Sequence, residues 1–204
     1  MAKSGNFENR SGRRLSLLWS GGKRKDLVSR TRNSGGYFTY QTKLGTKVTF
    51  LEAGDLRPAD PDIVDLFRVF SFECKIGYAR LLKQSQLRVN WGILDLADDR
   101  KSLENSTFMQ MWTQCSRDAN ETNRLPFLIF QRPFKYMCVA FPRWVMKQLQ
   151  DVAGKPDFCL LSVDLDYIEG GSIAIMGMDE FERWVSCSLQ LWVRSRLNRR
   201  TLIR

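Results

Sequence analysis

A chain of 204 residues, 43% hydrophobic and 12% aromatic, carries a formal net charge of +10 and contains no histidine. The length fits one domain with appendages, and the composition is ample for a packed core. The missing histidine excludes Ser-His-Asp and Cys-His catalysis and His-ligated metal centres, leaving carboxylates, lysine, tyrosine, cysteine or metal-bound water as reactive groups.

Residues 7–20 read as an amphipathic helix, with Phe7, Leu15 and Leu18 on an apolar stripe and Arg10, Arg13 and Arg14 on other faces. Gly12 weakens that helix by about 1 kcal/mol relative to Ala and permits a close backbone approach. Ser20-Gly21-Gly22 ends it, and Asn33-Ser34-Gly35-Gly36 marks a second loop. Residues 37–41 and 48–52 read as strands, and Gly54-Asp55 follows the second. Pro58 and Pro61 interrupt regular structure before a strand over 67–76. Within it Phe70, Phe72, Cys74 and Ile76 alternate with Ser71, Glu73 and Lys75, the period of a strand with one face in a core.

Segment 77–104 yields no firm element. Residues 105–122 read as a helix, with Phe108, Met109, Trp112, Cys115 and Ala119 on one side and Gln110, Gln114, Arg117 and Glu121 on the other. Residues 126–131 and 136–141 are short apolar strands of a hairpin. Pro142 opens a helix that runs to Gln150. Strands over 158–168 and 172–176, a helix over 179–184 and an Arg-rich tail complete the chain. The succession is α/β with a mixed central sheet.

The charge is unevenly placed. Residues 1–47 hold 11 Lys/Arg and 2 Asp/Glu, residues 183–204 hold 6 Arg and no acid, and the middle is net acidic. Two basic ends around an acidic centre suit arms that grip a polyanion on either side of a cation site, although solvated termini would read the same way. The five cysteines are scattered and never form a Cys-x-x-Cys pair, which argues against a disulfide framework or a zinc site. With no apolar run of membrane-spanning length and a polar, basic N-terminus, a cytoplasmic location is expected.

Glu73 and Lys75 project from one face of their strand, roughly 6–7 Å apart. With Asp55 upstream, a carboxylate pair and an amine at this spacing can hold Mg²⁺ or Mn²⁺ and orient a water beside it. Mg²⁺ takes oxygen ligands and keeps several waters, so Asp55, Glu73 and the backbone carbonyl of Cys74 form a sufficient ligand set. A bound cation would lower the pKa of that water and offset charge on a phosphate, with Lys75 holding the water or stabilising the transition state. Lys23, Arg24, Lys25, Arg30 and Arg32 would contact phosphates, with backbone N–H groups at Ser34 and Gly35 approaching the duplex. An exposed loop is the plainer reading of that segment.

These stretches resemble the PD-(D/E)XK nuclease superfamily, in particular phage-encoded Holliday-junction-resolvase-like proteins. The resemblance runs through Phe7-Glu8, residues 15–22 and 30–36, Gly54-Asp55-Leu56, Phe72-Glu73-Cys74-Lys75, residues 111–115 and 125–130, and so covers roughly 7–141. It implies a restriction-endonuclease-like core with a mixed central sheet flanked by helices. It also implies Asp55, Glu73 and Lys75 as the catalytic triplet, Glu8 as an accessory acid, and Gln114 facing the same site. The family's first acid often follows a proline, as Asp62 does here. Asp55 is preferred because it follows a strand-like run directly, whereas Asp62 sits in a Pro-broken loop.

The chain thus divides into a core over 1–141 with a basic N-terminal arm, and a C-terminal extension over 142–204. The implied activity is metal-dependent endonucleolytic cutting of branched DNA by a homodimer, with phage or host recombination proteins as further partners. Another structure- or site-specific nuclease of the same fold, or a non-catalytic DNA-binding subunit of a larger assembly, are the alternatives.

Overall fold

The computed structural model describes residues 4–31, 54–76, 107–131, 136–156, 161–163 and 172–201. The expected strands over 37–41 and 48–52 and the segment 77–104 lie outside them. Helix α1 (Ser4–Trp19) leads to a short antiparallel pair, β1 (Val28–Arg30) and β2 (Leu56–Pro58). Ser16 docks the helix onto this pair: its hydroxyl donates to Gly12 O and accepts from the Val28 N–H. Gly12 faces Val28 so closely that a Cβ would lie 3.2 Å from Val28 Cγ1, the close approach that glycine permits.

After a 3₁₀ turn at Pro61–Ile63 come α2 (Val64–Val69) and β3 (Phe70–Ile76). The residue pattern predicts that strand from 67, but residues 67–69 are helical. Asp60 caps the turn by accepting from the Asp62 N–H, and Pro61 supplies the φ its first position needs, so local turn chemistry starts a helical run ahead of the strand. Arg124 closes that run. Buried at the start of the next strand, its guanidinium donates to the carbonyls of Phe67 (3.3 Å) and Phe70 (3.4 Å) and to Ser71 Oγ (3.2 Å). Burial lowers its pKa to about 10, which leaves it charged at neutral pH.

Helix α3 (Thr107–Glu121) connects β3 to β4 (Leu125–Gln131), which runs parallel to it with Glu73 opposite Leu128. Strand β5 (Met137–Pro142), helix α4 (Arg143–Ala153), β6 (Leu161–Val163), β7 (Ile173–Gly177), α5 (Met178–Val185) and α6 (Leu189–Thr201) follow. The five-stranded sheet has the order β3-β4-β5-β7-β6, and all its pairs except β3–β4 are antiparallel. The expected α/β class with a mixed sheet flanked by helices is what forms. The Arg-rich tail differs from its reading: most of it is α6, because Leu189, Trp192 and Val193 give it a buried face.

Each sheet face is covered. On one, Phe70, Phe72, Phe127 and Phe141 pack against Phe7 and Leu15 of α1, Leu66 of α2, Leu149 of α4, Phe181 of α5 and Trp192 of α6. Phe127 stacks on Phe141 at 5.6 Å and Trp192 stacks on Phe70 at 5.7 Å. Full burial of one such ring contributes about 1.5–3 kcal/mol. On the other face Phe108, Met109, Met111 and Trp112 of α3 cover Leu128, Phe130, Ala140 and Ile175. The segment after 141 is continuous with this core, since β7 pairs with β5 and the 141/142 boundary falls within β5. Arg14 of α1 is clamped by Glu182 (Nε to Oε1, 2.7 Å) and by Asp179 of α5, and Gln190 donates to Trp19 O. No described helix is long and apolar enough to cross a membrane.

Candidate active site

Asp55 directly precedes β2, and Gly54 sets its position. Gly54 has φ +97°, and a Cβ there would stand 2.6 Å from Phe72 O, so only glycine lets this loop lie against β3. The Asp55 N–H donates to Phe72 O (2.8 Å) and its carbonyl accepts from the Thr31 N–H (2.9 Å), which ties it to β3 and to the end of β1. Gly54→Ala is expected to cost about 2 kcal/mol or more through strain and displacement of Phe72. Urea unfolding measures this, and a wild-type midpoint would show that the loop relaxes freely.

The Asp55 side chain is 7% exposed and accepts from the Cys74 N–H through Oδ2 at 2.8 Å. Oδ1 has no donor among the described residues. Glu73, 6% exposed, takes the Lys75 ammonium at 2.5 Å and the Gln114 amide at 3.3 Å, both on Oε1. Its Oε2 likewise has no donor among the described residues. The polar stripe of β3 is therefore not solvated: Ser71 and Glu73 are buried, and Gln114 of α3 reaches down to the Glu73 side.

Burial, then the charge on Glu73, pushes the Asp55 carboxyl up to about 7 against the pull of the Cys74 N–H and of Lys75. Burial also raises the Glu73 carboxyl, with the Lys75 ammonium opposing. Glu8, 3% exposed on α1, adds its charge to both, and Arg30 Nε lies 3.4 Å from its Oε2. All five residues assigned to catalysis thus belong to one neighbourhood. Asp118 belongs there too, because its charge also raises Glu73. It stands one turn beyond Gln114, and that i, i+4 spacing was the signal in the sequence that could have found it.

Two crowded carboxylates, each with a spare oxygen, make an arrangement that a hard divalent cation would relieve. No group of three or more His, Cys, Asp or Glu forms a ready cage among the described residues. Mg²⁺ needs none, because it retains waters and binds through one or two carboxylates. In a strand, a residue's N–H and C=O leave by the same edge. The Cys74 N–H points at Asp55, so its carbonyl is directed to that side as well.

Asp62 lies elsewhere, on the 3₁₀ turn, with a side chain 74% exposed and paired with Arg24. Arg24 also pairs with Asp26 (2.9 Å) and Asp60 (2.7 Å), which commits it to neighbouring acids. Arg30 is turned toward Glu8. Lys23 and Lys25 are exposed, while Arg32, Ser34 and Gly35 fall outside the described residues. Cys74, Cys115, Cys138 and Cys187 are free thiols. The chain matches no family model, no curated protein and no solved structure.

Proposed function

We propose that the chain is a Mg²⁺-dependent endodeoxyribonuclease of the PD-(D/E)XK kind, with Mn²⁺ as a substitute, that hydrolyses phosphodiesters in branched DNA. One observation carries the reading: Asp55 is held by the Cys74 amide beside the buried Glu73, which is ion-paired with the half-buried Lys75. The mixed sheet with helices on both faces is the layout expected of a restriction-endonuclease-like core.

When bound, Mg²⁺ would acidify a water and neutralise charge on the phosphate. The chain's own groups do the placing. Asp55 and Glu73 present Oδ1 and Oε2, and Gln114 fixes the Glu73 rotamer through Oε1. Lys75, anchored on the same oxygen, lies within reach of an attacking water and of charge building on the phosphoryl oxygens. A four-way junction has two-fold symmetry, so paired cuts call for a homodimer with one site per subunit.

The test is incubation with a four-way junction, a flap and a linear duplex, each with Mg²⁺ and with EDTA. The junction should be cut first and EDTA should stop all cutting. If no substrate is cut with Mg²⁺ or Mn²⁺ and calorimetry detects no metal uptake, the enzymatic reading fails and a non-catalytic DNA-binding subunit replaces it.

A further inference from the structure

Two hydroxyls near the end of β1, those of Ser29 and Thr31, are buried and make no hydrogen bond among the described residues. A buried hydroxyl without a partner costs stability and is rare enough to need a reason. Strand geometry says where both point. Val28 meets Gly12 of α1 and Arg30 meets Glu8 of α1, so the alternate residues Ser29 and Thr31 leave by the opposite face. On β2 the partner of Ser29 is Arg57 and the partner of Arg30 is Leu56. The Thr31 N–H donates to Asp55 O at 2.9 Å, which carries that register one pair further and sets Thr31 across from Asp55. Directly opposed side chains share a face, with Cβ atoms about 5 Å apart.

Thr31 is 7% exposed, as Asp55 is. Its hydroxyl is a donor beside a carboxylate whose Oδ1 has no donor among the described residues, and the two are not bonded to each other. A donor and an acceptor so placed suit a third body that both can hold. The carboxylate offers charge to a cation, and the hydroxyl offers a hydrogen bond to a water that the cation carries. Mg²⁺ retains several waters, so an uncharged hydroxyl can serve it without ligating it. Ser29 has the same unpartnered burial two residues back, but Arg57 rather than a carboxylate stands across from it.

We propose that Thr31 is a positioning residue of the cation site, its hydroxyl holding the hydration shell of the ion beside Asp55. The same hydroxyl then weakens the metal-free protein and strengthens the loaded one. That opposition of signs separates it from a hydroxyl kept for folding. The inference rests on the cation site of the reading above, but not on the cutting of DNA.

The test is titration calorimetry with Mg²⁺ and with Mn²⁺, paired with thermal unfolding in EDTA. Thr31→Val keeps the β-branched shape and removes the hydroxyl. It should weaken binding of both ions about ten- to a hundredfold. It should also raise the melting temperature in EDTA by about 2–4 °C, because the unpartnered group is gone. Thr31→Ser keeps the hydroxyl and should bind both ions within about twofold of the wild type, while melting lower for want of a buried methyl. Ser29→Ala should leave ion affinity unchanged. Wild-type ion affinity in Thr31→Val would overturn the proposal, whichever way its melting temperature moves. An equal loss of affinity in Thr31→Ser would trace the effect to packing, and one in Ser29→Ala to the whole ribbon; either overturns it. A wild type whose ion binding depends on the Thr31 hydroxyl yet cuts no DNA would sink the nuclease reading alone. Junction cutting by a Thr31→Val protein with unaltered ion affinity would sink this inference alone.

Discussion

Lys75→Ala should lower the rate of junction cleavage about a thousandfold or more while binding measured in EDTA stays within about twofold. The ammonium sits 2.5 Å from Glu73 Oε1 and is largely buried, so no solvent cation takes its place. On the proposed mechanism its loss removes the group assigned to the attacking water, and it pushes the Glu73 carboxyl further toward its neutral form. Asp55→Asn should be as damaging, because the amide oxygen can still accept from Cys74 N–H but carries no charge for a cation. Single-turnover cleavage of a labelled four-way junction measures both. A Lys75→Ala protein that cuts at the wild-type rate would remove the assigned site from the chemistry.

In the absence of divalent cations, stability should fall as pH rises from 5 to 8. Burial and the charge on Glu73 hold the Asp55 carboxyl at about 7 in the folded state, against its ordinary 3.8. Between those values the folded protein keeps a proton that the unfolded chain has lost. The stabilisation is complete below 3.8 and is lost as pH climbs through about 7, an effect on the order of 4 kcal/mol. Glu73 is shifted in the same direction and adds to the slope. Asp55→Asn should flatten the curve and raise the melting temperature at pH 8, and Mg²⁺ should do the same for the wild type by stabilising the charged pair. Thermal unfolding followed by circular dichroism reads all of this. A variant whose curve overlays the wild type would show that Asp55 is not the strained group.

Much of the scaffold is legible in the residues because its helices and strands carry strong periodicity. Phe108, Met109, Trp112, Cys115 and Ala119 announce α3 by their spacing, and all five are buried. The β3 alternation gives the strand but misstates its surroundings, since a period of two marks two faces without saying that a helix covers the polar one. Helix α2 is hidden because Val64, Leu66, Phe67 and Val69 suit either a strand or a helix, and the deciding contacts come from Arg124, more than fifty residues away. Asp55 could be preferred over Asp62 from the preceding strand, but its bond to the Cys74 N–H depends on Gly54 lying against Phe72. The partners of Arg24 and Arg30 were equally out of view, because a basic run shows its charges and not the acids that fold back onto them.

The clamp of Arg14 by Glu182 and Asp179 has a consequence for how this protein can be shortened. Helix α1 brings Glu8 to the paired carboxylates, yet it is braced from α5, more than 160 residues away, and α5 and α6 also supply Phe181 and Trp192 as backing for β3 and β4. A fragment ending at Phe141 would keep every assigned reactive group and lose the splint that aligns them. Residues 142–201 thus act as backing for β3 and β4, and on the nuclease proposal a fragment without them should not cut DNA.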